Sequence, residues 1–352
     1  MDPFVLQHNV DLAARCTMGL GGPARFFASL SSLTELQAAL AWAGQENVPT
    51  YLLGGGSNVL FADAGFAGLV LHLNLQGLGP VPGAAAGTVR CGAGLNWDAL
   101  VQDSVARGWA GIECLSGIPG TAGAAPVQNI GAYGQQLSEV LQAVRVVDRR
   151  SGEVQWVGAP ELALGYRSSR FKADWRHRYA IAQLQLGLRP GGTGHVAYAQ
   201  VEAQLGGAGV PPTPAAVRQV VLELRRQKGM LWEAGVYHVG SFFLNPGVSH
   251  EAAADLAQRL GVPLAQLGRP TAAGVKLSAA WLIERAGYPR GTRRGHVGLS
   301  AQHALCLQQD GRATAAELLA FAAELQAAVL ALAGVGLVIE PDRVGFAAEL
   351  GH

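Results

Sequence analysis

Residues 50–60 read TYLLGGGSNVL: a short apolar run, three consecutive glycines, a Ser-Asn pair and a second apolar run. Ordering Gly54, Gly55 and Gly56 costs more backbone entropy than ordering any other tripeptide. The cost is tolerable only where the backbone must take up positive φ or let another group come very close. A plain turn between two strands meets that description. So does a loop whose N–H groups face a ligand. The stretch GIPGTAGAAPVQNIGAYG (117–134) is equally glycine-rich, holds two prolines and carries no charged residue. Such a run presents backbone N–H groups and small side chains, which suits close contact with a flat, polar ligand or a diphosphate. Two such surfaces, both flanked by strand-like segments, favour a large cofactor spread across one domain.

With 352 residues, 49% apolar and 14% charged, the chain is long enough for two or three domains around a large core. A net charge of +1 argues against nucleic acid or an anionic membrane surface as the main partner. Residues 1–17 (MDPFVLQHNVDLAARCT) carry neither a basic n-region nor an apolar h-region. No secretory signal is expected, and a cytoplasmic location is. Cys16, Cys91, Cys114 and Cys306 are far apart and form no C-x-x-C. Neither a metal site nor a disulfide framework is implied, which fits a reducing compartment.

From Thr314 to Ile339 the chain is apolar enough to suggest a membrane span, but Glu317 and Glu324 interrupt it. The uncharged remainder is too short to cross a bilayer. Thr314 and Glu317 make a T-x-x-E capping box, and Leu318, Phe321, Leu325, Val329 and Leu332 recur at helical spacing. Gly334 fits the C-terminal stop. The pattern predicts a buried-face helix followed by a short strand.

Earlier in the chain, helix-like and strand-like segments alternate. LTELQAALAW (33–42) and WDALVQDSVARG (97–108) read as helices; PTYLL (49–53) and FAGLVLHL (66–73) read as strands. YAIAQLQLGL (179–188) places Ala182, Leu184, Leu186 and Leu188 on one face, the period of a half-exposed strand. The fold class is α+β. No G-x-G-x-x-G opens a helix and no G-x-x-x-x-G-K-[ST] occurs, so a Rossmann or P-loop fold is not expected. RPGGTGH (189–195) and GGAGVPPTP (206–214) read as loop and linker, and Thr213-Pro214 starts the helix AAVRQVVLELRRQK. A domain boundary is expected near residue 224. Of 26 basic residues only Lys172, Lys228 and Lys276 are lysine. In an arginine-rich chain they mark candidate places for a compact ammonium.

GGGSNVLF, IPGTAGAAPVQNIGAYG, GYRSSRFK, GSFFLNP, GVKLSAAWLI and a closing IEP follow one another between residues 17 and about 345. In that order they resemble the UDP-N-acetylenolpyruvoylglucosamine reductases, also called UDP-N-acetylmuramate dehydrogenases, the flavoenzymes of peptidoglycan synthesis. The resemblance implies an FAD-binding domain of the vanillyl-alcohol-oxidase (PCMH) type over 17–189. Its two α+β subdomains would cover about residues 1–75 and 76–223, with a C-terminal strand, 335–352, joining the second. A separate α+β substrate domain would span 224–334. FAD would be non-covalent, in keeping with the absence of histidine from both glycine-rich segments. Its contacts would be Gly54, Gly55, Gly56, Ser57 and Asn58 in the first segment. In the second they would be Gly117, Ile118, Pro119, Gly120, Gly123, Ala124, Gln128, Asn129 and Gly131, with Arg225 reaching the cofactor from elsewhere.

The implied reaction has two stages. NADPH gives a hydride to FAD and leaves; the enolpyruvyl sugar nucleotide then takes a hydride from flavin N5 at its C3 and a proton at C2. Arg167 matches the family's active-site arginine and would grip the substrate carboxylate. Glu340, delivered to a buried place, would hydrogen-bond the enolate, and Ser241 would give the proton. Tyr198, on an extra loop GGTGHVAYAQVEAQL (191–205) found in one form of the family, would hold substrate with Lys228, Asn245 and Lys276. Three positions depart from the family pattern: Leu244 replaces a lysine, E-P-D-R is a residue shorter than usual, and Gly55 stands where an acidic residue is common. The first removes a cation, and the second leaves the facing of Arg343 open. A monomer is expected. The rivals are a silent sugar-nucleotide-binding module and a flavin oxidase for another alcohol.

Overall fold

The computed structural model describes residues 3–206, 211–233 and 235–346. It divides into two compact units. The first comprises Met1–Val10, Ala24–Gly56 and Phe66–Arg226; the second comprises Asp11–Pro23, Ser57–Gly65 and Gln227–His352. The division after Arg226 falls in the helix Pro214–Gln227, close to the expected residue 224. Residues 17–23, 57–65 and the closing segment from 335, grouped by sequence with the first domain, belong instead to the second unit. The physical reason is that Met18, Leu20 and Leu60 enter the second unit's core, while Val59–Phe61 pairs in parallel with Asp342–Val344. Residues 207–210 of the expected linker and 347–352 of the expected last strand lie outside the described residues.

Among the described residues the first unit contains two two-stranded sheets and two large ones. In one, strands run in the order Gln7–Asp11, Pro23–Leu30, Phe66–Leu73, Thr50–Leu53, with the last three parallel. The helix Leu33–Gln45 makes the parallel crossover; Ser32 caps it by accepting from the Glu35 N–H (3.1 Å). In the other sheet the order is Val154–Gly158, Leu141–Asp148, Tyr179–Gly187, Thr88–Gly92, Leu78–Pro80, all antiparallel. The strand Tyr179–Gly187 alternates as expected only from Gln183 onward; Tyr179 to Ala182 are buried on both faces. Ala180 and Ala182 join a core with Leu36, Ala39, Leu40 and Ala43 of the first helix, while Ile181, Leu184 and Leu186 join another core with Trp97 and Leu100. Small alanines let that half of the strand carry a layer on each side.

In the second unit, Gly247–Val248, Gly274–Leu277 and Gly268–Thr271 form an antiparallel sheet in that order. The helices His250–Leu260 and Ala279–Arg285 and the long helix Ala315–Ala333 pack around one core. Among the described residues that long helix alone is long and apolar enough to cross a membrane. Its Leu318, Phe321, Leu325 and Val329 are buried in this core, and Glu324 accepts from Tyr288 Oη (2.9 Å) and Arg294 Nη2 (2.9 Å). It is a core helix with a solvated face. The expected capping box at Thr314 and Glu317 is present, and Asp63 adds a second cap, accepting from the Ala315 N–H (2.7 Å) and Ala316 N–H (3.0 Å). Directly after Gly334 no strand forms and only Ile339 bridges, to Phe243, but within the expected 335–352 a three-residue strand forms at Asp342–Val344.

Candidate active site

In the first unit the two glycine-rich segments touch. A Cβ on Gly54 would lie 2.7 Å from Thr121 Oγ1, and one on Gly55 would lie 2.8 Å from Gly120 Cα. Gly56, Gly117 and Gly120 have φ of 64°, 71° and 115°. Close approach and positive φ both explain why the chain places glycines here. Several N–H groups of the second segment are already bonded. Gly117 donates to Asp98 Oδ1 (2.6 Å), Gly123 to the Ala93 carbonyl (2.8 Å) and Ala124 to the Thr121 carbonyl (3.1 Å). These residues shape the surface more than they offer donors. Ile118, Pro119, Gly120, Gln128 and Gly131 are partly exposed along it. An uncharged, half-exposed backbone strip made of two turns fits a flat ligand with a diphosphate. Ser57 and Asn58 fall in the second unit, where the Asn58 carbonyl accepts from the Asp342 N–H (3.0 Å).

Asn129, 1% exposed, uses its amide inside the protein. Nδ2 donates to the Gly165 carbonyl (3.0 Å), and Oδ1 accepts from the Ser138 N–H (3.0 Å). Its geometry makes it a brace for the turn that carries Arg167. That brace is needed, because Arg167 has φ of 51°, uncommon for a side chain with a Cβ. Gly165 and Ser168 bridge around it, and Arg167 Nη2 donates to the Gly131 carbonyl (2.9 Å). The arginine is thus tied to the second glycine-rich segment.

Tyr198 does not sit on an open loop. It N-caps a short helix, Ala199–Leu205, and its ring meets Tyr133 edge-on with centroids 5.4 Å apart. Val201, fully buried, anchors this helix in a cluster with Val217, Val221 and Leu224 of the helix Pro214–Gln227. Arg225 on that second helix is 8% exposed. Burial pulls its pKa down, while Tyr133 and Asp98 act in the opposite direction. Asp98 is held by Arg218 through two hydrogen bonds (2.6 and 2.8 Å). Sequence reading missed this pair: 120 residues separate the partners, and neither stands in a glycine-rich block.

In the second unit, GSFFLNP is anchored by Phe242 and Phe243, 0% and 1% exposed. The Leu244 N–H donates to the Val338 carbonyl and the Glu340 N–H to the Phe242 carbonyl, both at 2.9 Å. This single antiparallel exchange sets the Glu340 backbone opposite Phe242, the residue after Ser241. The Ser241 and Glu340 side chains are half-buried, so Glu340 is less enclosed than expected. Further along, Asn245 Oδ1 accepts from the Ala279 N–H (3.0 Å) at the start of a helix, and Gly247 pairs with Lys276. With Oδ1 on the helix, the Nδ2 donors of Asn245 are not the ones that this contact uses. Lys228 is near enough to His303 to help burial lower that imidazole's pKa, and the Leu305 carbonyl accepts from the Phe242 N–H (2.8 Å). The segment 241–248 therefore gathers Ser241, Asn245, Lys276 and Glu340, four residues spread over a hundred positions. Arg343 is exposed on its strand. His238 was also missed: its Nδ1 accepts from the Gly240 N–H (3.0 Å), fixing the turn before Ser241.

The unit with the paired glycine turns is that of an FAD-binding flavoprotein: residues 24–158 match the family model described as "FAD binding domain". Residues 233–344 match "UDP-N-acetylenolpyruvoylglucosamine reductase, C-terminal domain". The chain belongs to the UDP-N-acetylenolpyruvoylglucosamine reductase family. The reductase of Thermobifida fusca is 41% identical over 348 residues, covering 96% of this chain and 97% of that one. That of Streptomyces coelicolor is 39% identical, covering 99% and 92%. Among solved structures, the Thermus caldophilus reductase superposes with a TM-score of 0.67 at 22% identity, covering 97% and 99%. An Arthrobacter nicotinovorans 6-hydroxy-D-nicotine oxidase shares the fold at a TM-score of 0.53.

Proposed function

We propose that this flavin-dependent oxidoreductase reduces the enolpyruvyl group of UDP-N-acetylglucosamine-enolpyruvate to UDP-N-acetylmuramate, as a cytoplasmic monomer, with NADPH as hydride donor. The observation that carries the reading is the backbone exchange between Phe242 and Glu340, which brings the segment carrying Ser241 against the segment carrying Glu340 in a chain of this family. When bound, FAD supplies the two-electron relay between nicotinamide and the enolpyruvyl group. The residues for its diphosphate are the backbone N–H groups of Gly54 to Gly56 and of Gly120, with Arg225 countering its charge. Arg167, held in one conformation by Gly131 and Asn129, takes the substrate carboxylate in its fork of donors.

Negative charge that builds beside that carboxylate needs a hydrogen bond, and Glu340 provides it in protonated form. Ser241 delivers the proton to C2. A hydroxyl is a weak acid, so it acts only as the carbanion forms and must be placed beforehand, which is the part played by the His238–Gly240 turn. Lys228 and Lys276 meet the diphosphate as point charges, Asn245 donates through Nδ2, and Tyr198 through its hydroxyl. The decisive assay is anaerobic NADPH consumption. It should require both FAD and the enolpyruvyl sugar nucleotide. Turnover with oxygen and a simple alcohol, or a colourless protein that binds the nucleotide without consuming NADPH, would overturn the proposal.

A further inference from the structure

Among the described residues, Glu113 is the one acidic side chain fully removed from solvent (0% exposed), and the chemistry above does not use it. A buried carboxylate persists only where hydrogen bonds replace water. Glu113 Oε2 accepts from the Gly111 N–H (2.6 Å), two residues away. Glu113 Oε1 accepts from the His195 N–H (2.7 Å), 82 residues further along the chain. The next residue grips the same peptide: Cys114 Sγ donates to the His195 carbonyl (3.4 Å). Burial pushes that thiol up to about 12, so it keeps its proton at neutral pH. His195 Nε2 reaches the Gly134 carbonyl (3.2 Å). His195 is thus fixed at its N–H, its carbonyl and its ring.

The fixation matters because of what surrounds it. Gly191, Gly192 and Gly194 precede His195, and Tyr198 follows three residues later. A glycine-rich approach cannot by itself hold a tyrosine in one place. Glu113 and Cys114, for their part, lead directly into GIPG at 117–120. We propose that Glu113 is a positioning residue for Tyr198: its carboxylate ties the tyrosine segment to the stretch that opens the glycine-rich turn, and so sets where the hydroxyl meets the sugar nucleotide. This rests on the assignment of Tyr198 to the substrate.

The test uses the FAD-loaded full chain with Glu113→Gln, Tyr198→Phe and both together. Glutamine must turn its NH2 toward one of the two N–H groups. Hydrogen exchange at the His195 amide should therefore quicken in Glu113→Gln. KM for the enolpyruvyl sugar nucleotide should rise about tenfold, the worth of roughly one charge-assisted hydrogen bond. FAD affinity and the rate of flavin reduction by NADPH should stay at wild-type values, which general damage to the fold would not allow. In the double variant KM should be no higher than in Tyr198→Phe alone. Cys114→Ala should raise KM less, and Cys114→Ser should restore it. A wild-type KM in Glu113→Gln beside a raised KM in Tyr198→Phe would overturn the positioning role alone. A wild-type KM in Tyr198→Phe would remove the substrate assignment of Tyr198 and the positioning role with it.

Discussion

The Glu340 N–H donates to the carbonyl of Phe242, the residue after Ser241, and the loss of the Ser241 or Glu340 side chain should be felt in one half-reaction only. Reducing FAD with NADPH needs no proton at the sugar substrate. Ser241→Ala should leave that step near wild type, while reoxidation by the enolpyruvyl substrate falls at least ~10²-fold, the usual worth of a positioned acid. Ser241→Cys should retain part of the rate. Glu340→Gln, still a hydrogen-bond donor, should lose less than Glu340→Ala. Rapid-mixing absorbance separates the steps, and a wild-type reoxidation rate in Ser241→Ala would exclude it as donor. Glycine is the other residue-scale case. Gly55→Ala would put a Cβ 2.8 Å from Gly120 Cα, backbone that cannot rotate away. Parting the two turns should weaken FAD binding about tenfold or more, from an overpacking cost of roughly 1–3 kcal/mol. Fluorescence titration of the apoprotein measures it, with Gly79→Ala, whose Cβ would meet nothing within 4 Å, as the control.

At the scale of elements, the helices Trp97–Ala106 and Pro214–Gln227 are joined by Asp98 and Arg218, and Asp98 also holds the Gly117 N–H. Burial of the Asp98 carboxyl acts to raise its pKa, but the Arg218 and Gly117 hydrogen bonds outweigh it and leave the value below the ordinary range. A depressed folded-state pKa contributes stability above the unfolded value, about pH 4, and loses it as pH falls through the folded value. The urea midpoints of wild type and Asp98→Asn should therefore differ by a constant amount over about pH 5 to 8 and converge below about pH 4. A gap that persists into acid would assign the effect to packing. The same element-level view explains why 191–205, read as a loop, ends in a helix. Val201 has a hydrophobic cluster to enter, and a sequence pattern of seven residues is too short to announce that.

For the molecule as a whole, the second unit is made of three stretches of chain. Met18, Leu20 and Leu60 lie in its core, Val59–Phe61 pairs with Asp342–Val344, and Asp63 caps its long helix. A fragment of residues 227–346, though it contains the whole matched C-terminal domain, lacks Met18, Leu20, Val59–Phe61 and Asp63. It should show no cooperative urea transition by circular dichroism. A fragment as stable as the full chain would mean that the two short stretches are ornaments. The full chain should be yellow as purified. It should release FAD on acid or heat precipitation, and saturating FAD at a hundred times its Kd should stabilise it by about 2.7 kcal/mol.

Local chemistry was legible in the sequence because it depends on neighbours along the chain. The helix after Thr314, the strands at 50–53, 66–73 and 179–187, and the glycines that need positive φ all follow from periodicity, capping and sterics within a few residues. The family's ordered blocks also singled out Ser241 and Glu340 as catalytic candidates and Asn245 and Lys276 as substrate-binding ones. What tertiary structure decided was which remote groups share a hydrogen bond. Glu113 with His195, Asp98 with Arg218 and Asn129 with Gly165 are separated by 82, 120 and 36 residues, and no periodic signal links them. The apolar run 335–339 failed as a strand for the same reason: it supplies the propensity, but a ladder also needs a partner edge, and here Phe243 provides only one bridge, whereas Asp342–Val344 finds Val59–Phe61. The sequence determined what each stretch could form. The fold determined which buried polar atoms had to find one another, because leaving them unpaired would cost more than the chain's small net stability allows.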